Sequence, residues 1–421
     1  MPVTAYLADI VVPVAAAPRR DAAVLVDGGR VADVVRRVDV PADAEVVRLG
    51  PVVTPGLVNA HAHLEYGPAF GDLAAGDRPF PEWITELTRR RAALSRADWY
   101  EQALLSIDAA IASGTTCVAD VVTEGAGLQA AADRSLAGVS YVEAVGADDR
   151  TWRERGRGRL LATLASAPPD RAAGLSPHTL YTLGTEVFRD VVRLAREQGL
   201  RLHPHLAETL DEEEYVLAGT GRLADAMRRT GLVLELLDGG TGVSPAAHLD
   251  ALGGLGRDVH VAHGVHCGPA DRALLRARGS AVALCTRSNA ILRAGAAPVA
   301  AYLSEGNPIA VGTDSLSSTP DLDLLAEAAA LRGLAREQGY RASDLDRRIV
   351  EAATSGGAAA LGIDDAGVLR PGARADLAAF DVPVDGDPWT ALLDHGAGRC
   401  VATVVRGRLV AGAAAPVEAD R

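Results

Sequence analysis

Between residues 52 and 313 the chain repeats one pattern eight times: a short apolar run, a few polar residues, then a longer helical stretch. The apolar runs fall at 52–60, 115–121, 138–145, 173–176, 200–206, 259–263, 280–285 and 308–313. Short continuous apolar runs of this kind suit strands covered on both faces. Trp99–Ser113, Thr185–Gln198, Gly221–Leu237 and Pro269–Arg278 read as helices between them. Eight strand–helix units are the number of a closed parallel barrel. The expected fold class is therefore α/β, a (β/α)8 TIM barrel, whose chemistry sits at the C-terminal ends of the strands.

The flanks have a different character. Residues 3–50 read as short strands, with a hairpin signal at Asp27-Gly28-Gly29. The stretches Gly367–Phe380 and Val401–Val410 resemble them. The simplest architecture pairs the two ends, residues 1–53 and 366–421, into a small β-sandwich beside a barrel of residues 54–365.

Eight of the ten histidines lie in or just after the apolar runs, and only His248 and His395 do not. Scattered structural histidines would not cluster so. Residues two apart in an extended chain share a face. His61 and His63 therefore present two imidazoles side by side, and neutral imidazole is the commonest nitrogen ligand for zinc. His203 and His205 share a face in the same way, so either of them is a candidate.

Composition excludes several classes. The net charge of −13 disfavours nucleic acid as a partner. No apolar segment is long enough for a clean membrane span, and the start lacks a signal-peptide pattern. Four scattered cysteines suit a reducing cytoplasm. The chain contains no lysine, which excludes lysine Schiff bases, a P-loop lysine and a carbamylated lysine bridging two metals.

In chain order the motifs PGLVNAHAH, HLAET, AHGVH, CTRSN and VGTDS resemble the amidohydrolase superfamily, within it the branch that deaminates adenosine-type nucleosides. The resemblance covers nearly the whole chain. It implies a metal held by His61, His63, His205 and Asp314, with Glu208 as proton shuttle. It also implies that His263 polarises the substrate or orients the water. Asp314 would both touch the metal and accept a proton. Without a lysine to bridge two ions, one divalent ion is expected. Zinc is the first choice, and iron(II) is compatible with the same donors.

The segment before Trp83 resembles methylthioadenosine and S-adenosylhomocysteine deaminases, which implies that Glu82 accepts from ribose hydroxyls. His178 would contact substrate, Asn289 would line the pocket, and Arg287 would grip a carboxylate tail, with Arg150, Arg153 and Arg155 as alternatives. Phe70, Phe80, Trp83 and Trp152 could supply apolar contacts. The partner is then a purine nucleoside, and a homo-oligomer stays open. The first-ranked substrate is aminodeoxyfutalosine of menaquinone synthesis. S-adenosylhomocysteine, methylthioadenosine and adenosine follow, and then ring hydrolysis of the guanine deaminase or triazine hydrolase type. The reading from another class is a metal-free ligand-binding barrel.

Overall fold

The computed structural model of the chain describes residues 3–75 and 80–416. The barrel strands are Leu57–Ala62, Thr115–Val122, Ala137–Ala144, Ala172–Pro177, His205–Leu206, His260–His263, Ala281–Leu284 and Ile309–Val311. The first four pair in parallel, in chain order, and so do the last four. Bridges from Leu175 to Leu202 and from Leu202 to Val259 join the two blocks on one side. On the other, Asp314 N donates to His61 O at 3.0 Å and Thr313 N to Asn59 Oδ1 at 3.2 Å, which closes the ring. Gly312 makes that closure feasible, because a Cβ there would lie 2.7 Å from His61 Cβ. Any side chain would push the eighth strand off the first.

The run 52–60 proves to be two strands. Glu45–Pro55 belongs to the terminal sheet and Leu57–Ala62 to the barrel, with Gly56 between them. A Cβ on Gly56 would stand 2.1 Å from Thr116 Oγ1, so the chain can change sheets there only without a side chain. The predicted helix Pro269–Arg278 forms as read. The one read over Gly221–Leu237 stops at Thr230, where Gly231 turns left-handed at φ 74°.

Both ends of the chain meet in one eight-stranded sheet. Its seam is the antiparallel pairing of Leu377–Phe380 with Val52–Pro55. The hairpin Asp27–Arg30 carries positive φ at both central glycines, 56° and 78°, as a two-residue turn of this type requires. Val24 and Val31 share one apolar cluster with Leu377 and Val404, so the sheet curls over its own core. All eight of its strands thus belong to one continuous sheet. The helix Pro388–His395 turns away from it: Trp389, Leu392 and Leu393 join the apolar cluster of the barrel. Among the described residues no helix is long and apolar enough to cross a membrane.

Candidate active site

The hydrogen bonds behind the imidazoles fix where their lone pairs point. His203 Nδ1 lies 2.9 Å from the carbonyl oxygen of His260, which can only accept, so Nδ1 carries the proton. Burial holds His203 neutral, well below the ordinary histidine pKa. Its Nε2 must then accept, and His61 Nδ1–H donates to it at 2.8 Å. The lone pair of His61 Nε2 is thereby turned into the barrel mouth, where it has no hydrogen-bond partner. His205 follows the same rule: Nδ1–H donates to His178 O at 3.2 Å, freeing Nε2. That nitrogen faces His63 Nε2 at 3.1 Å. Asp314 Oδ1 stands 3.6 Å from His61 Nε2 and 3.8 Å from His63 Nε2.

Lone pairs converging in a buried spot repel one another unless a cation lies among them. The ligand atoms of His61, His63 and His205 lie within 4.8 Å of one another, as do those of His61, His263 and Asp314. Three imidazoles and a carboxylate fit a zinc-type ion with a position left for water. The bonds behind His61, His205 and Asp314 supply the outer support such ligands ordinarily have. His203, the alternative ligand on the fifth strand, sits behind His61 and supports it.

Burial sets the protonation states. It pushes His63 down to about 3, with His61 adding to the shift. It also opposes ionisation at Asp314, but His61, His63 and His263 outweigh it and hold the carboxyl well below the usual range. Asp314 Oδ2 receives the hydroxyls of Ser288 at 2.7 Å and Ser318 at 2.9 Å. Glu208 is shifted up by burial, and its Oε1 stands 3.7 Å from His263 Nε2. Glu212 fixes the loop that carries Glu208, accepting the N–H groups of Ala207 and Glu208 at 2.9 Å each. Ala207, His263 and Asp314 all have positive φ, at 50°, 72° and 62°. Such strain in non-glycine residues gathers at functional sites, where the surroundings hold it in place.

A cavity of about 630 Å³ opens above this cluster. His63, His178, His205, Glu208, His263 and Asp314 line its floor, and Phe80, Trp83, Ile84, Leu87, Met227 and Leu232 contribute apolar wall.

The amidohydrolase family model matches residues 52–410. The chain belongs to the amidohydrolase family. A 5-methylthioadenosine/S-adenosylhomocysteine deaminase of Haloarcula marismortui is 34% identical over 377 residues, covering 86% of this chain and 81% of the relative. The crystal structure of a zinc-bound adenosine deaminase from Xanthomonas campestris superposes with a TM-score of 0.80 at 25% identity, covering 96% of this chain and 92% of the other. Helicobacter pylori aminofutalosine deaminase gives a TM-score of 0.82 at 19% identity, over 97% and 100% of the two chains, a likeness of fold.

This amidohydrolase brings His61, His63, His205, Glu208, His263 and Asp314 together, whereas most of the expected substrate contacts lie elsewhere. His178 does line the cavity, its Nδ1 at 2.9 Å from Thr182 Oγ1. Glu82 is exposed and outside the lining. The helix Phe80–Arg91 turns Phe80, Trp83, Ile84, Leu87 and Arg91 to the cavity, and Glu82 stands about 200° around it from Phe80. Arg287 also misses the cavity, since its guanidinium pairs with Asp321 at 2.9 Å. Asn289 is buried with its Oδ1 3.1 Å from His263 Nδ1, so it acts on that ring and not on the cavity. Of the other arginines, Arg153 pairs with Asp149, and Arg155 lines a neighbouring recess. Arg91 and Arg159 line the main cavity. Phe70 and Trp152 are core residues.

Proposed function

We propose that the chain hydrolytically deaminates a 6-aminopurine nucleoside with an extended 5′ substituent, a 5′-thioadenosine before aminodeoxyfutalosine. The observation that carries this reading is the convergence of the His61, His63 and His205 imidazoles, the Asp314 carboxylate, Glu208 and His263 at the base of one cavity. The order of substrates departs from the sequence-based preference. The relative at 34% identity is named for 5′-thioadenosines, while the aminofutalosine deaminase is similar in fold alone. The apolar outer wall suits a thioether or an aryl tail, and Arg159 offers a guanidinium for a terminal carboxylate.

His61, His63, His205 and Asp314 would hold one divalent ion, which supplies Lewis acidity and a water of lowered pKa. The protein groups do the rest. Asp314, kept ionised, takes a proton from the attacking water as its oxygen bonds to the amino-bearing carbon. Glu208, whose proton burial helps it hold, gives that proton to the adjacent ring nitrogen. His263, whose Nδ1–H is held by Asn289 Oδ1, turns the lone pair of Nε2 to the attacking water and orients it. The carbon–nitrogen bond then breaks: the amine leaves as ammonia with the proton Asp314 took from the water, and the hydroxyl proton of the adduct passes to Glu208 as the ring carbonyl forms.

The test is ammonia release from adenosine, methylthioadenosine, S-adenosylhomocysteine, aminodeoxyfutalosine, guanine and cytosine, repeated with Glu208→Gln. Turnover of the 5′-extended nucleosides is expected, with a fall of about 10²–10⁴ in the variant at unchanged metal content. A free base as best substrate overturns the reading, and so does full activity of Glu208→Gln.

A further inference from the structure

Glu143 closes the third barrel strand, and neither the motifs nor the proposed chemistry uses it. It is only 8% exposed, yet it lines the cavity. Its Oε2 accepts the Thr123 hydroxyl at 2.8 Å. Since that hydroxyl has given its hydrogen to Glu143, the Tyr66 hydroxyl 3.3 Å away must donate to Thr123. Thr123 itself is held through its backbone N–H on Glu65 at 2.9 Å. This relay occupies one carboxylate oxygen and leaves Oε1 buried with no hydrogen-bond partner. His178 Nε2, at 3.8 Å, is too far to serve as one.

We propose that Glu143 is a substrate-binding residue that accepts a hydrogen bond from a sugar hydroxyl of the nucleoside. This rests on the deaminase reading. The assignment follows from what remains on each side. In that reading Glu208 meets the ring nitrogen and Asp314 serves the carbon under attack, while a nucleoside's purine carries no ring N–H of its own. The 6-amino group stays with the carbon under attack, so the donors left over are the sugar hydroxyls. The other acids lining the cavity are committed: Glu124 pairs with Arg91 at 3.2 Å, and Glu208 and Asp314 belong to the chemistry. Glu82, expected to receive these hydroxyls, faces away. Arg91 decides the charge of the ligand group. Its guanidinium also lines the cavity, 5.8 Å over the Tyr66 ring, so a second cation beside Glu143 would be repelled where a neutral hydroxyl is not.

The experiment compares kcat/KM for adenosine, 2′-deoxyadenosine and 3′-deoxyadenosine in the metal-loaded wild type, Glu143→Ala and Glu143→Gln. The wild type is expected to favour adenosine over at least one deoxy analogue by about three- to a hundredfold, mainly through KM, the range for a hydrogen bond in a buried site. Glu143→Ala should bring that ratio close to one, and Glu143→Gln, still an acceptor, should keep part of it. The ratio is independent of the fraction of active protein. If Glu143→Ala does not fold, the ratio in Glu143→Gln decides, and it must fall below that of the wild type. A wild-type ratio near one, or a ratio the variants leave unchanged, overturns the role of Glu143 alone. No ammonia from any adenosine derivative in the wild type overturns the deaminase reading and this proposal with it.

Discussion

The support behind His61 can be divided chemically at His203. That residue is fully buried, donates from Nδ1 to His260 O, accepts at Nε2 from His61, and stacks on His260 with centroids 3.8 Å apart. In His203→Asn the amide N–H overlays Nδ1 and keeps the bond to His260 O, but nothing accepts from His61. In His203→Gln the amide oxygen overlays Nε2 and keeps the acceptor for His61. Each variant loses one buried hydrogen bond and part of the stack, so both metal-free forms should lose about 1–3 kcal/mol of stability. Metal affinity should separate them. Loss of a ligand's outer partner weakens binding about 10–100-fold, or about 1.4–2.7 kcal/mol. His203→Asn should show that loss, and His203→Gln should stay much closer to wild type. Competition for zinc against a chromophoric chelator measures both constants, and thermal melts of the metal-free proteins give the stability control. Wild-type zinc affinity in His203→Asn, or weaker binding by the Gln variant than by the Asn variant, would refute the tautomer argument.

Two further outcomes are expected. Arg159 is exposed at the cavity and has no ion-pair partner among the described residues. Arg159→Ala should raise KM for S-adenosylhomocysteine by up to about fivefold, the scale of an exposed ion pair, and leave methylthioadenosine unchanged. Equal effects on both would remove the arginine from tail recognition. Glu327 is pushed up to about 8 by burial while it accepts Arg287 N–H at 3.0 Å. An unfolded glutamate ionises near pH 4.3, so between about 4.3 and 8 the folded state holds a proton that the unfolded state has released. Stability is therefore lost as pH rises through that window. Melting curves from about pH 5 to about 8 should fall less steeply for Glu327→Gln than for wild type, and parallel curves would refute the shift.

What the sequence discloses here depends on whether a residue's role is local. His61 with His63 is a two-residue spacing at a strand end, and Asp314 follows an apolar run directly, so periodicity alone brings them to the barrel mouth. The wall of the cavity is not local in this sense. A motif resemblance points Glu82 to the cavity, yet the phase of its helix does not: Phe80, Trp83, Ile84 and Leu87 define one face and Glu82 lies opposite. Arg287 and Asn289 follow the seventh strand, but a helix begins at Thr286 and points consecutive side chains in different directions. Ser288 reaches Asp314, Asn289 reaches His263, and Arg287 turns outward to Asp321. Glu143 did leave a signal, a single acid at the C-terminal end of an otherwise apolar strand. Arg159 left none, because one arginine among many on an exposed helix carries no pattern.

The hydrogen-bond inventory points the same way as the geometry. In a settled core, buried polar atoms find partners, because leaving one unpaired costs about 1–3 kcal/mol. Around this cavity His61 Nε2, Asn289 Nδ2 and Glu143 Oε1 all lack one. Yet the opposite end of nearly every one of these groups is firmly held: His61 by His203, Asn289 by His263, Glu143 by Thr123. A site whose residues are fixed from behind and open in front is already arranged for what enters it, and ordering after binding then costs little. The same reasoning accounts for the strain at Ala207, His263 and Asp314. A relaxed backbone at those three strand ends would be more stable by itself, but it would turn Glu208, the His263 ring and the Asp314 carboxylate away from the common centre.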